Sequence, residues 1–318
     1  MGERWRRASA RYLPELTVTG LLAVALLLSG WREPRFWDAA YLFDRSTLHM
    51  ETGLLTLTMT LVILAGQIDL SVTSILALVG ALLATLHVRF GVPMTVLLPF
   101  GPIFGGLLGS VNGYLVARRG LPSLVVTLAT MALFRGIAQI LLGDRSVMMP
   151  PEMVGIERVT LPKSYLHAPL LLLIVATVAA YLLLHRTVFG RYVTVIGVNP
   201  EAARYSGVPV ARTMIRLFVL SGAMAGLCSL LLLSRLGVAR YDHARGWELD
   251  VITAVVLGGT SIFGGRGTIY GSIAAFLLIA IVQTGMGVAG VKAEIQVTAI
   301  GFLLLLAIFL AKVTERGR

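Results

Sequence analysis

His185-Arg186-Thr187-Val188-Phe189-Gly190-Arg191, continuing through Asn199-Pro200-Glu201-Ala202-Ala203-Arg204-Tyr205-Ser206-Gly207 to Arg216, is the stretch that decides how the chain is read. Long apolar runs lie on both sides of it, yet Arg186, Arg191, Arg204, Arg212 and Arg216 gather within it. Residues 199–207 spell a very short helix. Asn199 suits a cap for the first free amides, Pro200 the first helical position, Glu201 the positive helix start and Gly207 a left-handed exit. About two turns of helix are not stable alone in water. Something must pack on it: either the two membrane spans it joins, as an ordinary capped turn, or a partner.

The flanking text settles the solvent. The chain has 318 residues, is 57% hydrophobic and only 14% charged, and its mean hydropathy is +0.85. That leaves too little polar surface to cover a water-soluble globule. Several apolar runs approach the roughly 20 residues needed to cross a hydrocarbon core. The expected fold is an all-α polytopic membrane protein, in contact with lipid over most of its surface. The net charge of +11 is dispersed between the apolar runs, which fits membrane topology and not nucleic-acid binding. Cys228 stands alone in an apolar run, and His49, His87, His167, His185 and His243 are scattered without ligand spacing. No disulfide framework, metal or cofactor is expected.

About ten spans are expected, at 15–31, 48–66, 71–88, 93–117, 121–142, 167–185, 211–235, 248–264, 268–289 and 294–312. The third and eighth are expected to be broken or re-entrant. They form a single transmembrane domain, 15–312, between an N-terminal segment 1–14 and a tail 313–318. Arg4, Arg6, Arg7 and Arg11 precede an apolar run from Leu16 to Leu28 that lacks a convincing cleavage site, so a retained first span is expected. Alternating the loops, and counting only Lys and Arg, places both termini and the 186–212 loop in the cytoplasm. In the fourth span Gly101, Gly105, Gly109 and Gly113 recur every four residues. This glycine stripe lets another backbone approach closely, within the subunit or between subunits. The segments 64–71 and 257–264 both interrupt apolar text with small and polar residues, a faint internal repeat that suggests two halves.

Four segments carry candidate chemistry. Asp69, with Ser71 two residues on, is a carboxylate at membrane depth. It either faces a functional cavity or caps the third span. Thr127, Thr130 and Met131 share a helix face with Arg135; they line a polar path, or the threonines bond back to their own helix while Arg135 pairs with a carboxylate in an outer loop. Gly258-Gly259-Thr260-Ser261-Ile262-Phe263-Gly264-Gly265-Arg266-Gly267-Thr268 reads as a non-helical crossover. It is not a nucleotide loop, because Gly265 stands where that motif needs Lys. At Gly246-Trp247-Glu248-Leu249-Asp250 the acidic pair either meets a soluble partner or is solvated loop charge.

The spacing Glu201-Ala202-Ala203, three residues, Gly207 resembles the cytoplasmic loop by which ATP-binding-cassette importer permeases dock onto their ATPases. Gly190-Arg191-Tyr192, Ile196-Gly197, Asn199, Ala202-Ala203 and Ser206-Gly207 resemble the branch serving ribose, other monosaccharides and autoinducer 2. The broader motif's Ile-x-Leu-Pro tail is missing, which fits that sugar branch. Residues 66–74 and 121–131 are similar to it too, with Gln67, Thr73 and Ala129 where glycines are usual, and 258–268 resembles it closely. The resemblance implies a permease that hydrolyses nothing itself. Its partners are an ATPase pair, a second permease subunit (identical or paralogous) and an extracytoplasmic sugar-binding protein. Asn199, Pro200, Glu201, Ala202, Ala203, Arg204, Ser206 and Gly207 become the expected ATPase-coupling residues. Asp69, Ser71, Thr127, Thr130, Met131, Arg135, Thr260, Ser261 and Phe263 become the translocation-path candidates. The competing class is an ion-coupled secondary transporter, for which only Asp69 offers an embedded carboxylate.

Overall fold

The computed structural model describes residues 2–155, 159, 167–292, 294–302 and 305. Much of the tenth expected span, the tail 313–318 and the basic residues Arg158, Lys163, Lys312, Arg316 and Arg318 lie outside the described residues. In chain order the α-helices are α1 Gly2–Arg32, α2 Ala39–Ser46, α3 Met50–Leu64, α4 Val72–Phe90, α5 Met94–Leu97, α6 Phe100–Arg119, α7 Ser123–Leu142, α8 Ala168–Arg186, α9 Val188–Val198, α10 Pro200–Tyr205, α11 Val210–Leu236, α12 Trp247–Leu257 and α13 Ile269–Val288. Residues 294–302 are helical as well. Among the described residues eight helical stretches are long and apolar enough to cross a membrane. The chain is a polytopic all-α membrane protein.

α3 is the centre of the bundle. It is apolar on every side, and all but one of its residues are buried, as a helix surrounded by other helices must be. α8, α11, α12 and α13 pack around it, and α4 packs on α11. The outer ring shows its apolar residues to the surroundings: Leu16, Leu21 and Leu28 on α1, Leu128, Leu133 and Ile140 on α7, Ile174, Val175 and Val178 on α8. Exposed faces of this kind are stable in lipid and not in water.

Apolar burial does not drive helices together in lipid, so close packing must. α6 and α11 supply it. A Cβ on Gly105 would overlap the Gly222 carbonyl, one on Gly109 the Phe218 carbonyl, and one on Gly101 the Leu230 side chain; Gly113 faces Ile215. Gly222 and Gly226 return the contact against Gly105 and Gly101. The glycine stripe therefore lies inside the subunit, backbone on backbone.

Two interruptions shape the bundle. The eighth expected span is broken: α12 has 11 residues, about 16 Å of helix against a core of about 30 Å, and a glycine-rich turn follows it. The third expected span is not broken and corrects that expectation. α4 is a continuous helix of 19 residues; its Gly80 seats Ser229 and Leu233 of α11 and does not bend it. The break lies just before it, at residues 65–71. The two interruptions meet: the Gly265 amide donates to the Leu64 carbonyl at 2.8 Å, and Gly264 lies against the Gly66 backbone. At the far end, about 40 Å away along 27-residue α11, the short strands β1 Val147–Met148 and β2 Val238–Ala239 pair antiparallel.

Candidate functional site

The polar segment after α8 folds as two small helices. Thr187 caps α9, accepting from the Gly190 amide at 3.2 Å. Asn199 caps α10 with one side-chain oxygen, which accepts from the amides of Glu201 and Ala202, both at 3.0 Å. Pro200 occupies the first turn. The helix closes as Gly207, at φ +80°, donates its amide to the Arg204 carbonyl at 3.0 Å, and the Val208 amide reaches the Ala203 carbonyl at 3.0 Å. The left-handed turn is where glycine is needed.

Six helical residues are held by their inner face. Ala203 is fully buried, in a cluster with Val116 at the end of α6, Val126 at the start of α7, Ile196 of α9, and Val210, Met214 and Phe218 of α11. Glu201, Ala202, Arg204 and Ser206 are exposed, and Tyr205 is 91% exposed. One small side chain thus joins an open surface to the ends of four helices. α9 makes the second connection. A Cβ on Gly197 would overlap the Leu64 carbonyl, with the Gly265 amide next to it. α9 therefore sits on the point where the two interruptions meet, and α10 continues from it.

Above this junction lies a sealed polar knot. Asp69 has no exposed surface. One of its oxygens accepts from the Ser71 amide at 3.0 Å and the Ser71 hydroxyl at 2.6 Å, and the other from the Ser221 hydroxyl of α11 at 2.9 Å. Asn112 of α6 donates to the Ser71 hydroxyl at 2.7 Å. The carboxylate ties the 65–71 loop to α4, α6 and α11. Thr127 donates to the carbonyls of Ser123 and Ile68, and Thr130 to that of Val126. Both threonines are spent on backbone, as the second of the two sequence readings has it. Met131 is half-buried on the same helix.

The remaining path candidates separate. Thr260 is buried and Ser261 half-buried in the turn after α12, while Phe263 at its tip is 81% exposed at the α10 end. Arg135 lies toward the opposite end. It donates to the Tyr241 and His243 carbonyls at 2.8 and 2.7 Å and to Thr73 at 3.4 Å. Its loop partners are carbonyls, not the carboxylate that the sequence offers. Thr73 in turn donates to Glu248 at 2.7 Å. Arg240 grips Asp242 with two bonds, at 2.8 and 2.7 Å, and its hydrogen bond holds the Asp242 carboxyl below the usual range. Burial pushes the neighbouring His243 imidazole down. Arg235 at the end of α11 pairs with buried Glu51 at 3.1 Å. Glu248 and Asp250 are thus part of the folded assembly rather than solvated loop charge. The signal for Asp250 in the sequence is Gln283, which is polar text inside a largely apolar helix and donates to it at 3.4 Å.

A family of permeases, described as the branched-chain amino acid transport system permease component, matches residues 41–308. The chain belongs to this family. It is 34% identical over 305 residues to the autoinducer 2 import system permease protein LsrD of Photorhabdus laumondii, covering 94% of this chain and 91% of that one. Against the protein of the same name from Yersinia pseudotuberculosis it is 35% identical with the same coverage. No solved structure matches. The protein is a multi-pass membrane permease. Among the described residues no cluster of three or more His, Cys, Asp or Glu is placed to hold a metal.

Proposed function

We propose that the chain is the transmembrane subunit of an ATP-binding-cassette importer in the bacterial inner membrane, carrying a monosaccharide or a sugar derivative such as autoinducer 2. The observation that carries this reading is the build of α10: a helix too short to stand alone, open on one face and anchored on the other through buried Ala203. An ATPase pair grips the open face in the cytoplasm, where both termini also lie. Closure of that pair on ATP presses Ala203 into the ends of α6, α7 and α11, and α9 transmits the same motion through Gly197 to the joined crossovers at Leu64 and Gly265. The bundle then exchanges outward for inward access, with the solute released weakly bound. A second permease subunit, identical or paralogous, completes the path, and an extracytoplasmic binding protein delivers the sugar.

Support for the solute class comes from the relatives, whose names specify autoinducer 2 import. The test is reconstitution of the permease with its ATPase and binding protein in proteoliposomes. ATP-dependent uptake of a labelled sugar is expected. Uptake that persists without the ATPase and follows an ion gradient would establish secondary transport instead.

A further inference from the structure

At the end of the bundle away from α10 lies a cavity of about 410 Å³ between the start of α3, the start of α12 and the end of α13. This is within the range of pockets that hold small molecules, about 300–1,000 Å³. His49, Trp247, Asp250, Gln283, Thr284 and Gln296 line it. We infer that this cavity is the outward-facing binding site for a small neutral polyol, the solute of the proposed importer, and the inference rests on that reading.

The lining fits that ligand class and few others. With Thr52 and Arg45 it combines a carboxylate, two carboxamides, two hydroxyls, an imidazole, an indole and a guanidinium, so it offers acceptors and donors side by side, as vicinal hydroxyls require. The flat indole of Trp247 matches the C–H face of a sugar ring. An anion would meet Asp250. On this lining a cation would find one carboxylate, with the Arg45 guanidinium opposing it. The polar groups are under-used among themselves. Gln283 reaches Asp250 at 3.4 Å, the outer limit of a hydrogen bond, and Thr284 meets the His49 ring at 3.3 Å. Asp250 and Gln283 are half-buried on the cavity wall, so their remaining hydrogen-bonding capacity is open to a ligand or to water. The position also suits the task. Asp250 lies in the first turn of α12, the short helix that runs directly into the 258–268 crossover against which α9 packs. Motion at α10 therefore reaches this cavity through one helix of 11 residues.

The complete importer, reconstituted in proteoliposomes with labelled ribose, rhamnose and autoinducer 2 as probes, tests it. Asp250→Asn and Gln283→Leu should each lower uptake of the carried probe by at least about tenfold, the loss expected for a hydrogen bond to a charged group. Ile140→Ala, on the lipid face, should not. Uptake by both cavity variants within twofold of wild type overturns the inference while leaving the importer reading intact. Failure of the wild-type complex to carry any probe with ATP overturns both. Should either variant fail to assemble with the ATPase, Thr284→Cys decides: the carried probe should slow its reaction with a membrane-impermeant maleimide, and unchanged labelling overturns the proposal.

Discussion

Gly105→Ala adds one carbon and two hydrogens, yet it is expected to unfasten the bundle. The new methyl would overlap the Gly222 carbonyl and press on the Gly226 amide, both backbone atoms that cannot rotate aside. α6 and α11 must then move apart, and the contacts that Gly101, Gly109 and Gly113 make along the same stripe loosen with them. Overpacking in a close-packed core costs about 1–3 kcal/mol, against a gain of roughly 1 kcal/mol from the better helix propensity of Ala. The net loss expected is about 0–2 kcal/mol against wild type and about 1–3 kcal/mol against a variant that gains the propensity alone, rising if the stripe opens along its length. Gly136→Ala in α7 is the matched control. It is also helical, but nothing lies within 4 Å of its added Cβ, so it should gain the propensity term alone. Cys228 is a convenient reporter, because it is free, buried and in α11 itself. A thiol-reactive dye in detergent should react at a lower temperature in Gly105→Ala than in wild type, and at the same or a higher one in Gly136→Ala. Equal melting of the two variants would refute the packing argument.

Four other outcomes follow from the same geometry. Glu201→Lys, or Gly207→Val at its left-handed turn, should leave insertion intact and uncouple ATP hydrolysis from uptake in proteoliposomes; normal uptake would count against the coupling role. Asn199→Ala should cost α10 about 1 kcal/mol of capping and raise hydrogen exchange at the Glu201 and Ala202 amides, with unchanged exchange as the contrary result. Arg135→Met leaves the Tyr241 and His243 carbonyls without their donor, so the 237–246 loop should be cut faster by protease; wild-type resistance would show that β1 and β2 hold it alone. The depressed Asp242 carboxyl means that its pairing with Arg240 is fully present above the ordinary Asp value of about 3.9 and is lost only as pH falls through a lower one. Exchange protection of that loop should therefore be flat from pH 8 to about 7, and a decline below the ordinary His value of about 6.5 would follow from the depressed His243 imidazole and not from this pair.

What the sequence discloses and what it hides divide by distance along the chain. The bounds of α10 are legible because Asn199, Pro200 and Gly207 act on their immediate neighbours. The glycine stripe is legible as a face, but not its partner, since nothing in residues 101–113 names Gly222 or Phe218. The interruption at 64–71 is legible as small and polar text, but the break expected in the third span is absent, because Thr73 and Ser74 find partners in Glu248 and the Ser71 carbonyl and α4 runs on unbroken. Asp69 is conspicuous by type, yet its role as a sealed knot depends on Ser221, 152 positions away. The cavity around Asp250 is hidden for the same reason, being assembled from four separate parts of the chain.

The central claim is that α10 is the handle gripped by a cytoplasmic ATPase. Tyr205→Cys tests it most directly, since that side chain is 91% exposed and the native thiol is buried. In inside-out vesicles a membrane-impermeant maleimide should label residue 205, and added ATPase should block the reaction. Labelling in intact spheroplasts, or labelling that the ATPase leaves unchanged, would contradict the account.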